Sequence, residues 1–153
     1  MKPRHDHFES GENAALICVD DPKILQIVSD QLDAANFKIH TGLFHEDIVL
    51  RLQTYTYSAL VVHERFEGGD LESNMVLKAC RELSPTQRRA HFVVLIGADL
   101  PTEDGLLAFQ HSVDLVCGLA DLEKLSVVLR RALEAQDLSY QRFNQCLEQA
   151  TLA

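Results

Sequence analysis

Two adjacent carboxylates, Asp20 and Asp21, follow the apolar run Ala14-Ala15-Leu16-Ile17-Cys18-Val19 and stand directly before Pro22. Paired acids in such a place suit two tasks. They can hold a hard divalent cation such as Mg²⁺, which takes oxygen ligands. They can also cap the helix that Pro22 opens, because a capping carboxylate accepts from the first amides and proline fits the first turn. A second polar pair, His63-Glu64, ends another apolar run, Ser58 to His63 (SALVVH). His63 has the chemistry of a phosphoryl or metal ligand, but no second histidine lies at ligand spacing, and a catalytic imidazole needs a positioned partner. Glu67-Gly68-Gly69-Asp70 lacks the strand–Gly-x-Gly–helix context of a phosphate cradle. With no G-x-S-x-G, H-E-x-x-H or P-loop pattern, no nucleophile, base and orienter can be assembled, and the chain is not expected to be an enzyme.

The composition narrows the classes further. A chain of 153 residues, 46% hydrophobic and 24% charged, suits one folded domain with one core. The formal net charge of −9 repels phosphate backbones, so nucleic acid is not expected as a partner. Arg130-Arg131 is a local exception and reads as a solvated helix face. No apolar run approaches a membrane span. Cys18, Cys80, Cys117 and Cys146 form no C-x-x-C pair, and Cys18 and Cys117 sit inside apolar runs. A reducing, cytoplasmic setting without a membrane is the expectation. Residues Met1 to Asn13 are polar and aperiodic, which marks a flexible tail; His5-Asp6-His7 within it carries no firm ligand set.

Five short apolar runs must position the two polar pairs. Ala14–Val19 reads as a buried strand feeding a helix with Ile24, Leu25, Val28 and Leu32 at helical spacing, closed by Asn36. Phe37–His40 alternates as an edge strand does. Ile48, Val49, Leu52 and Tyr55 mark a second helix. Ser58–His63 is the third strand, and Asp70 is the expected cap of a helix carrying Val76, Ala79, Cys80 and Leu83. Ser84-Pro85 opens a short extra turn. Phe92–Ile96 is the fourth strand, Pro101–Phe109 a helix, and Asp114–Cys117 the fifth strand. Strands alternating with helices imply right-handed crossovers and a parallel sheet covered on both faces. The predicted fold class is α/β: a flavodoxin-like, doubly wound, five-stranded parallel sheet of order 2-1-3-4-5, with an extended C-terminal helix. In such folds ligands bind beyond the carboxyl ends of the central strands.

At those strand ends the chain resembles the receiver domain of bacterial response regulators. ALICVDDP, the spacing to YSALVVH, then VVLIGAD and DLVCGLADLEKL carry the likeness over about Ala14 to Ala135. The resemblance implies a phosphorelay site: an acidic pair for Mg²⁺, an aspartate ending strand three, a hydroxyl ending strand four and a lysine ending strand five. Transferred residue by residue, Asp20 and Asp21 match the metal pair. The acceptor position falls on His63, the hydroxyl position on Gly97, the lysine position on Gly118 with Leu119 in place of the following proline, and the switch aromatic on Leu115. This pattern implies a degenerate, pseudo-receiver type of two-component signalling domain. Two other uses of the pocket stay open. One is a residual Mg²⁺-dependent phosphoreceiver using Glu64 (after a one-residue slip of strand three) or His63. The other is a small-anion or nucleotide site in the crevice between strands one and three, where the missing Thr and Lys bulk at Gly97 and Gly118 is expected to leave room.

The C-terminal segment offers a different kind of function. From Asp121 onward there is no Pro or Gly, and Leu122, Leu125, Leu129, Ala132, Tyr140, Phe143, Leu147 and Ala150 recur at three-and-four spacing, interrupted by Gln136. A helix of about 30 residues would run about 45 Å, and a receiver body covers about half of it. The expected organisation is a tail at 1–13, a receiver-like domain at 14–136 and a helical extension at 137–153. Leu138, Tyr140, Phe143 and Leu147 then need another surface: the domain's own body, a protein partner or a second copy in a homodimer. Phosphorylation-independent interaction through this helix is the expected function, with no cofactor beyond a weakly held Mg²⁺.

Overall fold

Five strands, β1 (Ala14–Cys18), β2 (Lys38–Thr41), β3 (Ala59–His63), β4 (Val93–Gly97) and β5 (Leu115–Gly118), pair in parallel in the order β2-β1-β3-β4-β5. The structure is a computed structural model that describes residues 13–152; the side chains of 139–144 and 147–152 lie outside that description, as do the residues of the expected tail before Asn13. Every residue of β1, β3 and β4 is buried, which is why their sequences run apolar without alternation. β2 lies at one edge, with Lys38 exposed and His40 buried.

The period of two along each strand sorts the core into halves. Leu60 and Val62 face α2 (His45–Thr54), α3 (Met75–Glu82) and α5 (Gly105–Gln110) through Ile48, Leu52, Leu77 and Ala108. Ala59 and Val61 face α1 (Pro22–Ala34) and α6 (Leu125–Leu152) through Val28, Leu32, Leu125 and Leu129. Each fully buried Leu or Ile contributes about 2 kcal/mol relative to exposure, so the two layers on the sheet fix the relative heights of the strand ends. Register aligns His63 with Ile96, and Gly97 with Gly118.

Two local expectations are corrected. Asp70 does not cap α3. Asn74 does: its Oδ1 accepts from the amides of Val76 (3.0 Å) and Leu77 (3.1 Å), and its Nδ2 donates to the carbonyls of His63 (3.0 Å) and Glu64 (3.2 Å). Asn74 is 1% exposed, so one amide fastens the end of β3 to the start of α3. Asp70 holds the turn before it, accepting from the amides of Glu72 and Ser73 and from the Ser73 hydroxyl, and these hydrogen bonds lower its pKa. Likewise, the helix expected from Pro101 begins only at Gly105, capped by Asp104. Residues 101–104 run instead along the open edge of β5, where the Glu103 amide donates to the Val116 carbonyl at 2.8 Å.

α6 extends for 28 residues, about 42 Å at 1.5 Å per residue, after a short 3₁₀ segment, Leu119–Lys124. Leu125, Val128 and Leu129 are buried, Ala132 and Leu133 partly so, and residues 134–138 are all exposed. The Ser126 amide donates to Gln31 Oε1 of α1 at 3.0 Å and fixes the helix where it meets the body.

Candidate functional site

The acidic pair is present at the carboxyl edge of β1, but its two members do different work. Asp21 is the N-cap of α1: its Oδ1 accepts from the amides of Lys23 (2.9 Å) and Ile24 (3.1 Å), with Pro22 opening the helix. Asp20 reaches across the sheet, and its Oδ2 accepts from the Glu67 amide at 2.6 Å. Glu67 has a left-handed backbone (φ 57°), which turns that amide toward Asp20. A cation at this pair would compete with backbone N–H groups for carboxylate oxygens.

His63 is 8% exposed at the rim of the sheet, and burial, the dominant effect, lowers its pKa. Among the described residues its ring has no hydrogen-bonding partner to orient it as a base or nucleophile. Glu64 needs no slip of β3 to approach the chemical positions, contrary to the expectation. Its amide donates to the Ile96 carbonyl at 2.9 Å, so the chain keeps its register one step past the strand. Its side chain then lies over the end of β4, with Oε1 accepting from the Ala98 amide at 3.1 Å.

The space expected at Gly97 and Gly118 is filled. A Cβ at Gly97 would stand 2.6 Å from Glu64 Cδ and 2.7 Å from Leu100 Cδ1. A Cβ at Gly118 would collide with the Leu100 backbone carbonyl oxygen. The loop that carries Leu100 is tied down beside it. The Gly118 amide donates to Thr102 Oγ1 (3.0 Å), and the Thr102 hydroxyl donates to Asp121 (2.6 Å). Glycine at 118 is therefore what lets the β4–α5 loop cross the end of β5, and a lysine restored there has no path for its first carbon. Leu115, at the switch position, is 5% exposed and packs in the α1/α6 core layer with Leu122 and Leu125.

The expected contact residues of the C-terminal helix lie away from this end. Leu138 is 54% exposed on α6, whereas the side chains of Tyr140, Phe143 and Leu147 lie outside the described residues. A cavity of about 430 Å³ opens at the amino ends of β4 and β5, lined by Arg88, Arg89, Phe109, Asp114 and Gln136 among others. Cys18, Cys80 and Cys117 are buried, and burial raises their pKa values, to about 11 for Cys80 and Cys117, which makes them inert thiols. No helix among the described residues is long and apolar enough to cross a membrane.

Residue type and spacing do not single out Asn74, and they do not show that Glu64 covers Gly97 or that Glu67 joins Asp20 to His45. One signal for Glu67 was available. α2 starts at His45, after Phe44, whose side chain cannot cap, so the acceptor comes from elsewhere.

No protein-family model matches the sequence, and no curated relative matches it. Solved structures do match in fold. The response regulator receiver domain from Methanospirillum hungatei is 12% identical with a TM-score of 0.63, over 84% of this chain and 99% of that one. The chemotaxis response regulator CheY4 of Vibrio cholerae is 16% identical with a TM-score of 0.62, over 79% of this chain and 98% of that one. A fusion carrying the trimeric coiled-coil segment of yeast Spc42 is 16% identical with a TM-score of 0.60, over 92% of this chain and 94% of that one. The chain thus has the fold of response regulator receiver domains, with Gly97 and Gly118 at the ends of the two strands where hydroxyl and lysine were sought.

Proposed function

We propose that this chain is a phosphorylation-independent interaction module of a signalling system, and that its partner is a second copy engaged through α6. The observation that carries the first half is the Leu100 carbonyl occupying the place of any side chain at Gly118. Phosphoryl transfer to a carboxylate needs positive charge to neutralise the developing anion. Here the lysine position is filled by backbone, and the acidic pair is engaged with amides. The reading assigns no catalytic step to the chain.

The second half is supported by the helix itself. Its start, from Leu125 to Leu133, packs on the body; its backbone continues unbroken to Leu152. The apolar residues of the sequence keep three-and-four spacing there, the repeat that paired helices use. The Spc42 fusion matches more of this chain than the two receivers described do, which agrees with a helix that outruns the receiver body.

Incubating the protein with Mg²⁺ and a small phosphoryl donor should leave its intact mass unchanged; a phosphoryl adduct on Glu64 or His63 would overturn the first half. Light scattering should give twice the chain mass for the wild type and the monomer mass for Tyr140→Glu/Phe143→Glu. A wild-type monomer sinks the second half alone.

A further inference from the structure

The N-terminus of α2 has no cap of its own, since Phe44 provides no side-chain acceptor. The acceptor comes from the β3–α3 loop: Glu67 Oε1 accepts from the His45 amide at 2.7 Å. The same carboxylate embraces the His45 ring, with Nδ1 3.0 Å from both Oε1 and Oε2. On the other side of the ring, Nε2 stands 3.3 Å from Glu46 Oε1. The ligand atoms of the three residues lie within 4.8 Å of one another, yet the two ring nitrogens diverge and each faces its own carboxylate. The groups bracket the ring rather than converge on one point, as ligands of a single cation must.

A neutral imidazole donates from one nitrogen and carries a lone pair on the other. With Nδ1 on Glu67 and Nε2 within ion-pair distance of Glu46, the ring interacts favourably with both carboxylates only as imidazolium. We propose that a proton on His45 is a latch that tightens the β3–α3 loop against α2, so that the loop loosens as the proton leaves while the Glu67 bond to the His45 amide remains. The charged groups facing the ring are Glu67 from the loop and Glu46 of α2 itself. Asp20 of the β1–α1 turn stands behind Glu67, on its amide, and Asp47 of α2 turns to Arg51 Nε at 3.1 Å. The facing carboxylates agree with a His45 pKa raised above the ordinary 6.5, first through the hydrogen bond to Glu67. A raised pKa means that the latch is complete below 6.5 and is lost as pH climbs through the higher folded-state value. Glu67 links it to the first strand, because its left-handed backbone presents its amide to Asp20. This inference does not depend on the function proposed above.

The test is a pH titration of the full chain by NMR. The His45 ring should titrate with a midpoint above 6.5, and the Glu67 amide resonance should move with the same midpoint. Glu67→Gln should bring the ring midpoint back toward 6.5. His45→Gln, which keeps the helix and removes the proton, should leave the Glu67 amide flat across that window. A His45 midpoint at or below 6.5 overturns the latch, and so does a Glu67 amide that stays still while the ring titrates.

Discussion

The two halves of the carboxyl edge of the sheet have fared differently. At β1, both acids of a receiver-like pair are present; at β4 and β5, the positions for hydroxyl and lysine are glycines. The difference follows from what each half does for the fold. Asp21 caps α1 and Asp20 anchors the Glu67 amide, so both carboxylates stabilise structure whether or not a cation ever binds. A side chain at 118 has the opposite effect, because the Leu100 carbonyl occupies its space, whereas at 97 it meets only the ends of the Glu64 and Leu100 side chains. The fold uses both carboxylates, and glycine at 118 makes room for a crossing loop.

The largest test of that contrast is Gly118→Lys. Restoring the lysine drives its first carbon into the Leu100 carbonyl, in a loop that Thr102 and Glu103 tie to Gly118, Asp121 and Val116. A loss of about 3 kcal/mol in urea unfolding is expected, with no gain of phosphorylation. A Gly118→Lys protein as stable as wild type would show that the loop yields and that the site is only dormant.

On the acidic side the effects are smaller and purely structural. Asn74→Ala removes a buried amide that joins β3 to α3 and should cost about 2 kcal/mol, more than Asp21→Ala at about 1 kcal/mol. If Asp21→Ala costs nothing by urea unfolding, capping is not what keeps the pair. The smallest effect is the response to acid. His91 is neutral by geometry: Nδ1 accepts from the Tyr57 amide (3.1 Å) and Nε2 donates to the Leu52 carbonyl (3.0 Å). Burial lowers its pKa below 6.5, as it does for His63. The unfolded chain then binds more protons, so stability is full above 6.5 and falls as pH drops toward the lower folded-state values. Urea midpoints should decline between about pH 6.5 and 5, below the range in which the raised His45 responds, and His91→Gln should flatten part of that slope. A midpoint that rises on acidification over this range would contradict the neutral ring.

The elements and their order were legible in the sequence. Continuous apolar runs marked β1, β3 and β4, helical spacing marked α1 and α6, and Asp21-Pro22 marked a cap and a first turn, because each signal acts within a few residues of itself. The absence of Thr and Lys from the ends of β4 and β5 was equally plain. What that absence means was decided by tertiary structure. Residues 101–104 have helical character locally, but the open edge of β5 takes the Glu103 amide, so α5 starts later. Asp70 has the right type for a cap, but only Asn74 reaches both the end of β3 and the start of α3. Gly97 and Gly118 looked like vacancies because spacing along the chain says nothing about a loop arriving from elsewhere. Periodicity and capping are short-range and fix where elements lie; the filling of a site depends on segments far apart in sequence, and only their packing brings Glu64, Leu100 and Thr102 over the two glycines.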